Sequence, residues 1–316
     1  MFDSLAVLDT VRLNFSPEGM VFLNITLGFI MFGVALEIKL QQFVDLFTNP
    51  KSLIWGLLSQ FLFLPMVTFG LVLLLSPPPS VGLGMILVAC CPGGNISNYI
   101  SAVSKANVAL SVSLTAISLT AIGTVVAIIL TPLNFSLWGN LYYEAASIIK
   151  PIELDIVQMF KTVFILLGIP MICGMFVSYK FPLFTKRIIK PVKTISLLVF
   201  IGFILAAFYA NSQYITGDFY LIFILVLVHN SLAYFTGFST GKIAKLSTLD
   251  VYTVSIETGI QNSGLALALI FNPKLFDGIG GMAFIAAWWG VWHMVSGLAL
   301  AFWWSHQRKK VECQNV

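Results

Sequence analysis

The chain has 316 residues, 58% of them hydrophobic and only 9% charged, against roughly 25% charged in an ordinary soluble domain. With 27 phenylalanines and a mean hydropathy of +0.94, that much apolar surface cannot be hidden in one water-soluble core, which excludes a soluble enzyme, a disordered chain and a nucleic-acid binder. The net charge of +4, from 17 Lys and Arg against 13 Asp and Glu, is what basic cytoplasmic loops of a membrane protein supply.

Residues 2–15 carry Asp3 and Asp9 and no basic run. They are too short and too charged to span, and read as a short surface segment rather than a cleaved signal peptide. A membrane helix needs about 20 mostly apolar residues. Nine stretches qualify, at about 20–37, 52–75, 81–104, 107–131, 156–178, 194–210, 219–240, 250–271 and 281–304. The linkers are short except 132–155, whose Trp138, Tyr142 and Tyr143 suit an interfacial aromatic belt, and 179–193. The SPPPS run at 76–80 suits a tight extended turn. No soluble domain is inserted, so the chain reads as one all-α polytopic membrane domain. Cys90, Cys91 and Cys173 lie in apolar runs and Cys313 in the tail; they read as small buried hydrophobes, not as a disulfide or metal framework.

Basic residues orient the spans. Alternating sides over nine spans puts Lys39, Lys51, Lys105, Lys180, Lys186, Arg187, Lys190, Lys193, Lys242, Lys245, Arg308, Lys309 and Lys310 on one face, 13 of the 17. Arg12, Lys150, Lys161 and Lys274 fall on the other. The expected arrangement is a cell-membrane protein, inner or plasma, with its N-terminus outside and its C-terminus in the cytoplasm.

Spans three and eight are interrupted. The third carries Pro92, Gly93 and Gly94 in its middle, followed by Asn95, Ser97 and Asn98. The eighth holds Glu257, Thr258, Gln261, Asn262 and Ser263 around Gly259 and Gly264. Unwound backbone in hydrocarbon is tolerated only where protein or a water-filled cavity surrounds it. The span before each break matches too: Gln60, with Pro65 after it, precedes Asn95 by 35 residues, and Asn230, beside His229, precedes Asn262 by 32. Span two enters from the cytoplasm and span seven from outside, so the repeat is inverted, with one unit at about 20–131, a second at about 156–305, and 306–316 a cytoplasmic tail. Paired interrupted helices in an inverted repeat point to a transporter's binding site.

Glu257 is the one acid of the 13 placed in mid-membrane, where an uncompensated carboxylate costs at least a few kcal/mol. No membrane Lys or Arg is placed to pair with it, which leaves a metal cation or a proton. Sodium fits the oxygen donors around it. Glu257 and Gln261 are four apart, as are Ser111 and Thr115, and each pair is expected on one helical face. Ser97 and Asn98 follow the first break, and the second break frees carbonyls near Thr258 and Ile260. His229 and His293 keep a proton-coupled carrier as the alternative, although a lone membrane histidine more often bonds a neighbouring helix. No HExxH or GxSxG context points to an enzyme.

The segments CCPGGNISN at 90–98, NVALSVSLT at 107–115 and ETGIQNSGLA at 257–266, with the weaker WHMVSG at 292–297, resemble the bile acid:sodium symporter family in order and spacing from MFGVALEIK at 31–39 onward. The chain is similar to its nine-helix members. The resemblance implies a core with crossing broken helices, a panel that moves against it, and two sodium ions. One ion would use Ser97, Asn98, Ser111, Thr115 and Glu257. The second would use Gln60, Glu257 and Gln261 with main-chain oxygens of Thr258 and Ile260, Gln60 resting on the weaker match SQFLFLP. It implies symport of an organic anion, bile acid-like or a small carboxylate, with Asn95, Asn262 and His293 as candidate substrate contacts. A proton-coupled or sodium-independent organic anion carrier on the same fold is the alternative. The expected partners are the substrate, sodium and the bilayer, with no nucleic acid and no obligatory protein.

Overall fold

A computed structural model describes residues 2–13, 17–36, 50–94, 96–119, 121–146, 155–214 and 217–314, and every regular element among them is helical. In chain order these are α1 Pro17–Ala35, α2 Pro50–Leu75, α3 Pro79–Cys90, α4 Ile96–Val103, α5 Val108–Leu119, α6 Ala121–Ala145, α7 Ile156–Lys180, α8 Pro182–Ala210, α9 Tyr220–Ile243, α10 Thr248–Gly259, α11 Ser263–Ile270 and α12 Gly280–Gln314. Five helices, α1, α2, α7, α9 and α12, are individually long and apolar enough to cross a bilayer. The two interrupted spans are each built from a pair of shorter pieces, α3 with α4 and α10 with α11.

Proline shapes two of the long helices. Pro65 has no N–H to give the carbonyl of Phe61, and α2 widens into a π turn over Ser59–Phe63 just before it. The freed Phe61 carbonyl accepts instead from Asn134 Nδ2 of α6 at 2.8 Å. The same widening recurs in α7, with a π turn at Phe164–Gly168 ahead of Pro170.

The helices sort into two groups. α1, α7 and α8 pack on one another, while the broken helices pack among α2, α5, α6, α9 and α12. Contacts of α6 with α7, and of α11 with α1 and α7, join the groups. Small residues allow the closest approaches. A Cβ at Gly237 would lie 2.6 Å from Ser255 Cα, and one at Gly241 would lie 3.0 Å from Val251 Cα, so the GFSTG run of α9 seats α10 directly on its backbone. Likewise a Cβ at Gly84 of α3 would meet Met282 Cα of α12 at 2.7 Å.

Several expectations need correction. The N-terminal segment is not merely superficial: a 3₁₀ turn over Asp3–Asp9 buries Leu5 and Leu8. Leu13 N–H donates to the Gly278 carbonyl and Gly280 N–H to that of Val11, so the segment straps the start of α12. Asp9 Oδ1 accepts from Ser80 N–H at 2.8 Å and so caps α3 from a distance. The expected linker 132–155 is helical through Ala145, because the chain after Pro132 continues α6; Trp138 packs on Phe69 with ring centroids 5.4 Å apart. The expected linker 179–193 shrinks to Phe181, since α8 starts at Pro182 and its Lys186, Arg187, Lys190 and Lys193 are ordinary helix formers. The expected tail continues α12 to Gln314. Cys90 and Cys91 are buried, but Cys173 is exposed. Glu37 and Lys39 lie outside the described residues. The SPPPS turn is as expected: Ser76 adopts the left-handed conformation at φ 46° and Pro78 is extended before α3.

Candidate cation site

The two interruptions meet. Gly94 N–H donates to the Ile260 carbonyl and Asn262 N–H to that of Pro92, both at 2.8 Å, and Gly93 pairs with Gln261 as a one-residue antiparallel bridge. A helix that stops in the membrane leaves its last four carbonyls without intrahelical partners. At the end of α10 each has found an amide. Glu257 O accepts from Gln60 Nε2 at 3.0 Å, and Thr258 O from Gln261 Nε2 at 2.9 Å. Gly259 O accepts from Asn230 Nδ2 at 2.7 Å, and Ile260 O from Gly94 N–H. Ser296 Oγ in turn donates to Asn230 Oδ1 at 2.6 Å. Gln60 and Asn230, from the helices on either side, thus do the same job.

Glu257 is fully buried at the centre of an oxygen cluster. Its Oε1 accepts from Ser111 Oγ in a very short contact. Thr115 Oγ1 lies 3.3 Å from Oε1 and 3.2 Å from Oε2. The same Thr115 oxygen is 3.3 Å from Ser97 Oγ and 3.3 Å from Asn98 Oδ1, and Ser111 Oγ is 2.9 Å from Asn98 Oδ1. Gln60 Nε2 reaches Oε2 at 3.3 Å. Six oxygens from five side chains therefore share the protons of three hydroxyls. Neutral hydroxyl and amide oxygens around one carboxylate are a hard-cation donor set. The glycines matter here: a Cβ at Gly93 would stand 3.0 Å from Gln60 Nε2 and 3.1 Å from Glu257 Oε2.

All five side chains of the first expected ion site are thus together. The second group is close by but arranged differently from the expectation. Gln261 does not share a helical face with Glu257, because α10 ends at Gly259; its side chain folds back on Thr258 O, and its Oε1 has no hydrogen-bond partner among the described residues. The Thr258 and Ile260 carbonyls each already accept one amide, and a carbonyl oxygen keeps a second lone pair. Of the substrate candidates, Asn262 caps α11 through Leu265 N–H, with Nδ2 unpartnered among the described residues. His293 is buried on α12, its carbonyl accepting from Tyr234. Asn95 lies outside the described residues. His229 bonds Thr68 at 2.8 Å and packs on Trp289, a helix-to-helix link. A groove of about 570 Å³ between α2 and α9, lined by Gly70, Leu71, Leu74, Leu227, Val228, Ser231, Leu232 and Phe235, shares no residue with the Glu257 cluster. Sequence reading did not assign Ser59, which meets Thr258 Oγ1 at 2.7 Å, or Asp250, which is buried.

Residues 24–218 match the model of the Sodium Bile acid symporter family. The chain belongs to that family. Membership makes it a transporter and not an enzyme, and makes sodium dependence a property of its kind. Within the Sodium Bile acid symporter family, it is similar to the "Uncharacterized sodium-dependent transporter YocS" of Bacillus subtilis, 34% identical over 92% of this chain and 84% of that one. It is 28% identical to the rice "Probable sodium/metabolite cotransporter BASS2, chloroplastic" over 85% of this chain but only 62% of that protein. It is 27% identical to the human "Ileal sodium/bile acid cotransporter" over 80% of this chain and 70% of its partner.

Proposed function

We propose that the protein is a sodium-coupled symporter of an organic anion, working by alternating access across a cell membrane. The observation that carries this reading is the oxygen cluster on Glu257, in which one buried carboxylate faces neutral donors where two broken helices cross. A sodium ion among Ser97, Asn98, Ser111, Thr115 and Glu257 compensates the carboxylate and ties α4, α5 and α10 together. A second ion uses Gln60, Gln261, Glu257 and the Thr258 and Ile260 carbonyls. Because Gln60 and Gly94 also hold the α10 terminus, loading the cations sets the geometry of the crossing, beside which the anion binds near Asn95, Asn262 and His293. The start of α4, after Gly94, turns the positive end of its helix dipole toward a carboxylate. The coupling is reciprocal: sodium raises substrate affinity and substrate raises sodium affinity by the same factor. Movement of α1, α7 and α8 against the rest exposes the crossing to alternate sides, with the N-terminus outside and the two repeats inverted. The carried anion is bile acid-like or a small carboxylate; the relatives' names mention bile acid and metabolite.

The test is uptake into proteoliposomes of a panel of labelled organic anions, bile acids and small carboxylates, under an inward sodium gradient. The parental protein takes up at least one only with sodium, and Glu257→Gln, which keeps size but removes the charge, abolishes that uptake while the protein still inserts. Uptake driven by a pH gradient without sodium decides for the proton-coupled carrier. A Gln variant that still needs sodium and runs at the parental rate makes Glu257 structural.

A further inference from the structure

Seven residues before Glu257 a second buried carboxylate joins the helices that carry the cluster. Asp250 is 4% exposed, in the first turn of α10. Its Oδ2 accepts from Ser52 Oγ at 2.8 Å, at the start of α2, and its Oδ1 from Asn107 Nδ2 at 2.7 Å, immediately before α5. The Asn107 amide has a fixed sense, because its Oδ1 accepts from Leu110 N–H at 3.1 Å and caps α5. Asn107 is tied to α10 a second time, its carbonyl accepting from Thr253 Oγ1 at 3.1 Å.

The three helices joined at Asp250 are those that bring Gln60, Ser111, Thr115 and Glu257 to the site. Seven residues of helix rise about 10 Å and return to within about 20° of the same face. Asp250 therefore stands two turns from Glu257 on one side of α10. Asn107 stands one turn before Ser111, and Ser52 stands two turns before Ser59, which itself contacts Thr258. The three helices run parallel, so a link at their starts sets their relative sliding.

We infer that Asp250 is a positioning residue for the cation site, a clamp that fixes the register of α2, α5 and α10 so that their oxygens converge on Glu257. The inference rests on the reading of the Glu257 cluster as a cation site. A clamp of this kind acts through two hydrogen bonds rather than through charge at the ion. An asparagine at 250 can keep both, accepting from Asn107 and donating to the Ser52 hydroxyl. An alanine loses both.

The test is equilibrium sodium-22 binding to the purified full-length protein, with choline chloride holding ionic strength, beside the thermal unfolding midpoint in sodium-free choline buffer. Asp250→Ala should raise half-saturating sodium about tenfold, and Asp250→Asn should stay within about threefold of the parent. Ser52→Ala, which cuts only the α2 link, should raise it about threefold. A folded Asp250→Ala protein with parental half-saturation overturns the inference. So does an Asp250→Asn protein as impaired as the alanine variant, since charge and not the clamp then matters. If Asp250→Ala does not fold, Ser52→Ala decides: parental half-saturation overturns the clamp, and a raised value supports it. Should the parental chain show no saturable sodium binding, or Glu257→Gln bind as tightly as the parent, the cation site falls and the clamp with it. Binding silenced by Glu257→Gln but indifferent to Asp250→Ala overturns the clamp alone.

Discussion

Thr115 touches more of the cluster than any neighbour of Glu257, with Ser97, Asn98 and both carboxylate oxygens within 3.3 Å of one hydroxyl. Replacing it by valine keeps the shape and deletes the oxygen. Half-saturating sodium in the Thr115→Val protein should rise about tenfold, about 1.4 kcal/mol, with unfolding in sodium-free buffer little changed. An unchanged half-saturation removes Thr115 from the ion's shell. Gly93 lies against Gln60 and the same carboxylate. Gly93→Ala would place a methyl against Gln60 and Glu257, and the same binding assay should show sodium affinity lost without loss of inserted protein. The members of this cluster were legible in the sequence because a lone membrane acid needs compensation and because the CCPGGNISN and NVALSVSLT resemblance assigns Ser97, Asn98, Ser111 and Thr115 to one ion with it. The detail of Gln261 was not, since four-residue spacing describes a helix and the helix stops two residues short of it. Asp250 was missed for a related reason: at the end of an apolar run, charge reads as the limit of the membrane, and its partners lie 143 and 198 residues away.

At the scale of the element, proline and its substitute partner can be tested together. Asn134→Leu leaves the Phe61 carbonyl of α2 without its donor and should destabilise the protein by about 1–3 kcal/mol, read as a lower unfolding midpoint in detergent. In a Pro65→Ala background the loss should shrink, because alanine restores an N–H that can reach the same carbonyl. Equal losses in both backgrounds would mean that Asn134 stabilises α2 by some other contact. Packing offers a second test: Gly237→Leu cannot be accommodated beside Ser255 and should prevent α9 and α10 from closing, with loss of folded protein. Breaks at PGG and TGIQN were visible as helix-breaking residues amid apolar ones. The helical runs at 132–145 and 182–193 were not, because their polar and aromatic residues look like linkers to a hydropathy window, and Pro132 and Pro191 are carried inside the helices rather than ending them.

For the molecule as a whole, hydrogen-bonded pairs show that α2, α5 and α10 all run the same way. Ser52 meets Asp250 and Ser59 meets Thr258, while Asn107 meets Asp250 and Ser111 meets Glu257. Parallel α2, α5 and α10 are what strict alternation requires of spans two, four and eight. A cysteine at position 309 should then resist a membrane-impermeant reagent applied to intact cells from outside and react after permeabilisation. Reaction in intact cells would reverse the orientation. Counting by length and apolar composition recovers five spanning helices among the described residues, and the half-helices of 8–12 residues at the two breaks are each too short to be counted.

The hydrogen bonds that join the two breaks, Gly94 to Ile260 and Asn262 to Pro92, run from main chain to main chain. They do not depend on the chemistry of the side chains beside them. Side chains beside this crossing can accordingly be changed without touching the hydrogen bonds that join it, provided glycine is kept where the backbones touch. One scaffold can therefore be inherited intact by descendants that handle very different cargo, as the mixture of metabolite and bile acid names among the relatives suggests. Engineering a new specificity should follow the same division, recoding neighbouring side chains while leaving PGG and the facing residues Ile260–Asn262 alone.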